Sequence, residues 1–134
     1  MVQHADMDWM LKDLAESVPQ TRHIVVLSSD GLRQAQYSTD LEVAERLAAI
    51  GSGLQSLAGA VGAEFPPGGG QMRMVVVEVD GGFLYLMAAG AGAHLLVVAD
   101  QGVDAGLISY HMNDLVARIG AHLTSPPRTD GQET

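Results

Sequence analysis

Few side chains in this sequence have the types and spacing that catalysis requires. The triplet Gly51-Ser52-Gly53 has the outline of a dinucleotide-binding turn or of a nucleophile elbow. The first needs a third glycine at fixed spacing, and both need a strand just before the motif. Here the triplet falls inside a helical pattern with no such glycine. Gly68-Gly69-Gly70 could offer backbone N–H groups to phosphate, but no Gly-Lys-Ser/Thr follows, and the only lysine, Lys12, is far upstream. The histidines make no ligand pattern. His111 and His122 share one helical segment but stand too far apart to meet on one ion. His23 and His94 fall on strand-like segments that could be neighbours, yet no carboxylate accompanies them. Glu78 and Asp80 lead into a turn. With Cys 0, disulfides, thiolate catalysis and zinc–thiolate sites are excluded. The expectation is a chain without catalytic residues, cofactor or metal, and not an enzyme.

Charge narrows the partners. Sixteen Asp and Glu against seven Lys and Arg give a formal net charge of -9 over 134 residues. Nucleic acid and anionic membranes need clustered cations and are poor partners for such a surface. Met1 to Asp8 has no apolar run of a secretory signal, and the longest apolar stretch, Phe83 to Ala99, is broken by Gly90 and Gly92 and carries His94. A cytoplasmic protein with no membrane insertion is expected.

The elements that must position any functional surface are legible as patterns. Asp6 to Val18 is amphipathic, with Met7, Met10, Leu11, Leu14 and Val18 on one face and Asp6 as a cap. Arg22 to Ser28 and Leu32 to Tyr37, joined by Ser29-Asp30-Gly31, read as a hairpin whose second, more polar strand suits a sheet edge. Thr39-Asp40-Leu41-Glu42 fits a capping box and opens a long helix to about Ala63. Phe65 to Gly70 is a loop; Met72 to Val79, Phe83 to Ala88 and Ala93 to Ala99 form a meander; Asp104 caps a final helix to about Leu123. The order is α-β-β-α-β-β-β-α, an α+β domain with helices packed on an antiparallel sheet. It spans 6–124, with 125–134 expected to be a disordered tail.

The long helix is the most informative element. One stripe, Val43, Leu47, Ile50, Leu54, Leu57 and Val61, is large and apolar. The adjacent stripe, Ala44, Ala48, Gly51, Gln55, Ala58 and Gly62, is nearly all small. The large stripe is expected against the sheet and the small one against another helix at close range. Each helical glycine costs roughly 0.5–1 kcal/mol relative to alanine, which tight helix packing can offset.

The segments Asp8 to Leu14, Val18-Pro19, His23 to Leu27, Ser29 to Leu32, Ala44 to Ile50, Ser52 to Ala58, Val77 to Leu84 and Val116 to Leu123 resemble the actinobacterial branch of the Roadblock family, dynein light chain type. The resemblance runs from about Met7 to Leu123. It implies a five-stranded sheet in which the first and last strands join hairpin to meander, leaving Leu32–Tyr37 and Met72–Val79 as edges. It also implies a homodimer with long helices antiparallel and Met72–Val79 strands paired across chains. Ala44, Ala48, Gly51, Gln55, Ala58, Gly62, Met72, Met74 and Val76 are the expected interface. Members act as scaffolds or regulators of GTPases and motors, in operons beside a sensor kinase and a Ras-like GTPase. The function expected is therefore a non-enzymatic homodimeric adaptor or regulator of a small Ras-like GTPase, with the sensor kinase a further partner. A small-molecule sensor module of GAF or PAS type is the alternative, since it too lays helices on an antiparallel sheet. Of the arginines, Arg46 alone lies on the long helix near the seam, where an ion pair to Glu42 or Glu45 is expected.

Overall fold

A computed structural model describes residues 2–90 and 92–124, with side chains over 7–90 and 92–123. The expected tail, 125–134, lies outside the described residues. The element order is α1 (Val2–Ser17), β1 (Thr21–Ser28), β2 (Arg33–Tyr37), α2 (Leu41–Gly62), β3 (Met74–Val79), β4 (Gly82–Gly90), β5 (Ala93–Asp100) and α3 (Ala105–Thr124). The five strands form one sheet in the order β2-β1-β5-β4-β3. Every neighbouring pair is antiparallel. β2 and β3 are the two edges, as the resemblance implies.

The strand sequences explain why helices cover both faces. Ile24-Val25-Val26-Leu27 of β1 and Leu95-Leu96-Val97 of β5 are buried without alternation, which a sheet with one wet face does not allow. On one face, α1 and α3 bring Leu11, Leu14, Ile108, Met112, Leu115 and Ile119 onto Ile24, Val26, Leu95 and Val97. On the other, α2 lies alone over Val25, Leu27, Leu86 and Leu96.

The stripes of α2 do not divide between sheet and partner as expected. Ala44 and Ala48 are buried in the core of their own chain, and Gly51 is buried beside them. A Cβ on Gly51 would stand 3.1 Å from both Leu27 Cδ1 and Leu96 Cδ1. The sheet face supplies the bulk, so the helix must supply the hollows; close packing fixes the sum of volumes, not which side contributes them. Leu47 and Leu54 flank this contact half-buried, while Ile50, Leu57 and Val61 face outward.

Two end details differ from the expectations. α1 starts at Val2, so Asp6 lies within the helix rather than capping it. Asp40, not Thr39, caps α2: its carboxylate accepts from Val43 N at 3.0 Å. Thr39 instead donates to the Tyr37 carbonyl and sits 3.0 Å from His23 Nδ1. The expected cap at Asp104 is present, with its carboxylate accepting from Leu107 N.

Candidate protein-interaction surface

β3 presents one open side. Its hydrogen bonds run only to β4. Met74, Val76 and Val79 stand exposed along it, without a proline or lysine to discourage pairing. The outward face of α2 adjoins this edge and carries Ile50, Leu57 (68% exposed) and Val61 (61% exposed). Between the two runs an open groove of about 710 Å³, lined by Leu54, Leu57, Val61, Phe65, Met72 and Met74. Contiguous apolar surface of this kind is unusual on a monomer and marks a site of association.

Gly62 shapes the far end of the groove. Gly70 N donates to the Gly62 carbonyl at 2.7 Å, and a Cβ on Gly62 would meet the Gly70 carbonyl oxygen at 1.8 Å. The absent side chain lets the loop fold back over the end of α2, and that chain reversal leads into Met72 at the groove's floor.

The expected interface residues therefore separate. Met74 and Val76 are exposed on the edge, and Met72, Gln55 and Ala58 are half-buried at or beside the groove. Ala44, Ala48, Gly51 and Gly62 are buried within their own chain: three lie under the helix and one under the loop. The outward apolar residues Ile50, Leu57, Val61 and Phe65 were absent from the expected set. The first three belong to the large stripe, of which Leu47 and Leu54 pack at the sheet while these three face outward. Phe65 is placed by the loop's return over Gly62, which has no periodic signature.

The chemistry-bearing residues are not gathered. Ser52 donates to the Ser29 carbonyl at 2.9 Å and pins α2 to the first hairpin. His23 aligns with Val98 and His94 with Leu27, so the two histidines are not the neighbours that the strand pattern allowed. His94 is only 6% exposed, its Nδ1 has no hydrogen-bond partner, and burial holds its pKa below the ordinary value. Arg46 is exposed and makes no ion pair among the described residues, so the expected bridge to Glu42 or Glu45 is not formed. Among the described residues no three His, Cys, Asp or Glu side chains could hold a metal ion. No described helix is long and apolar enough to cross a membrane.

The Roadblock/LC7 domain profile matches residues 7–99. Among solved structures, a Roadblock/LC7 domain from Streptomyces avermitilis is 38% identical, with a TM-score of 0.83, over 88% of this chain and 98% of that one. A second from the same organism is 40% identical, with a TM-score of 0.69, over 86% and 99%. The gliding protein MglB from Thermus thermophilus shares the fold at 16% identity, with a TM-score of 0.80 over 91% of each chain. No curated protein is significantly similar in sequence.

Proposed function

Because the chain belongs to the Roadblock/LC7 domain family, we propose that it is a non-enzymatic homodimeric adaptor that regulates a small Ras-like GTPase. The observation that carries this reading is the continuous apolar surface from the outward face of α2 across the groove to the open edge of β3. A second copy, related by a two-fold axis, covers this surface with its own. Helix α2 lies against its counterpart through Ile50, Leu57 and Val61, while the two β3 edges pair backbone to backbone. The interface residues are then Ile50, Leu57 and Val61 of α2 with Met72, Met74 and Val76, and Gln55 and Ala58 lie at its margin.

Such an interface buries on the order of 1,600 Å² in total. The paired α2 helices would form one broad platform for the GTPase. A surface of this kind favours one GTPase conformation only through its differential affinity for that conformation. Arg46 stands exposed on α2 and makes no ion pair among the described residues, but the adaptor reading assigns the effect to the shape of the platform. The apolar groove is open to solvent, whereas a sensor module would enclose its ligand.

The test has two steps. Light scattering at micromolar concentration should give twice the chain mass for the wild type and the single chain mass for Leu57→Glu with an unchanged circular dichroism spectrum. Wild type that is monomeric at that concentration would overturn the dimer. The GTPase from the same operon, loaded in turn with GDP and a GTP analogue, should then bind the dimer with unequal affinity. Equal affinity for the two states would overturn the regulatory role and leave the dimer standing.

A further inference from the structure

The sheet has a second open edge, on the far side from the apolar groove. β2 pairs only with β1. A polar recess of about 580 Å³ runs along it, lined by Asp8, Trp9 and Lys12 of α1 and by the chain from Arg33 to Thr39. Trp9, the only tryptophan, is 62% exposed. Arg33 Nε and Gln36 Oε1 are buried without hydrogen-bond partners. One is a donor lacking an acceptor and the other an acceptor lacking a donor. Arg33 makes no ion pair among the described residues, and the Lys12–Glu16 contact is a long one, 4.0 Å between exposed groups. Two cations thus face one carboxylate in this recess, although the chain as a whole has a net charge of -9.

We propose that this recess binds an extended peptide segment of a protein partner, added as a strand to the free edge of β2, with acidic side chains toward Lys12 and Arg33 and apolar ones over Trp9. A peptide backbone brings carbonyl acceptors and N–H donors in alternation, which is what an open strand edge lacks. An exposed indole beside cations suits a segment that alternates apolar and acidic groups. A second copy of this chain is the wrong occupant. β2 reads Arg33-Gln34-Ala35-Gln36-Tyr37, so a second β2 would add another cation to this edge and offer no carboxylate to Arg33. The proposal does not depend on the dimer, because the two edges lie on opposite sides of the sheet.

The probe is a short acetylated peptide alternating Glu and Val, with a Lys/Val peptide of equal length as control. Titration into the full chain should change the Trp9 emission saturably with the Glu/Val peptide and leave it unchanged with the Lys/Val peptide. Arg33→Ala and Lys12→Ala, both checked for fold by circular dichroism, should each weaken binding by about tenfold, as loss of a charge-assisted contact does. Amide exchange should slow at Arg33 to Tyr37 when the peptide is bound, which a contact through side chains alone would not cause. No saturable change up to about 1 mM peptide, the weak limit of useful affinity, would overturn the proposal. So would an equal response to the Lys/Val peptide, unchanged affinity in Arg33→Ala, or unslowed exchange along β2.

Discussion

His94 is a titratable ring held among apolar side chains, between Leu27 and Ala88 on the neighbouring strands. Burial lowers its pKa from the ordinary 6.5, so the folded chain keeps the ring neutral at pH values where the unfolded chain protonates it. The unfolded state then binds more protons, and stability falls as the pH drops through about 6.5. Denaturant midpoints measured from pH 7.5 to 5 should decline for the wild type and decline less for His94→Leu; equal slopes would show that the ring is not held neutral. Gly51 and Gly62 matter at the same scale for a different reason. Gly51→Leu forces a branched side chain into Leu27 and Leu96, so it should destabilise each chain by about 1–3 kcal/mol, as overpacking does, rather than merely separate two chains. Urea unfolding at several protein concentrations distinguishes these effects, since a fold defect lowers stability even where the chain is already monomeric. Gly62→Ala should loosen the return of the loop, and faster amide exchange at Gly70 would report it.

At the scale of elements, α2 carries both a core face and an open face. A pattern of small and large stripes identifies two faces but does not say which neighbour each meets. Deciding that requires the volumes on the other side: Val25, Leu27, Leu86 and Leu96 fill the space that the alanines and Gly51 leave. Those four are legible as strand residues, but the register that brings them under one helix is a long-range property. The edge position of β2 is legible in its polarity and the core faces of α1 and α3 in their unbroken periodicity, whereas the strand order follows only from the family resemblance. The separation of His23 from His94 was not legible, since β1–β5 register carries no local signal. Nor was the cap of α2, where Thr39 and Asp40 are both competent and the His23–Thr39 contact occupies the first. Asp40→Ala should cost about 1 kcal/mol, the usual value of an N-cap, and Thr39→Ala less; thermal melts of the two variants decide the order. On β3, Val76→Lys should prevent edge pairing while leaving the α2 face untouched, and light scattering should then show a marked shift toward monomer.

For the whole molecule, a net charge of -9 on each chain opposes association at long range, and the apolar surface favours it at short range. Raising the salt screens the first and not the second. The proposed dimer should therefore tighten between low and physiological ionic strength, as read by analytical ultracentrifugation; weakening with salt would mean that ion pairs hold it. If the dimer acts on its GTPase by shape, Arg46→Ala should retain most of the effect on hydrolysis and Leu57→Glu should lose it. Loss in Arg46→Ala with binding intact would instead identify an arginine supplied to the GTPase active site.

The two edges of the sheet differ in kind, and that difference sets how far assembly can go. In polymer chemistry a molecule with two like reactive ends grows without limit, whereas one with a single reactive end stops at a pair. A chain with apolar, uninterrupted β3 at one side and short, polar β2 at the other is monofunctional in this sense. In the proposed dimer, joining two β3 edges consumes the reactive end of both partners and leaves only β2 at each extremity, a short polar strand with no carboxylate to pair with the Arg33 of a next unit. The asymmetry acts as a chain terminator: it lets a protein keep a sticky strand edge without becoming a fibre.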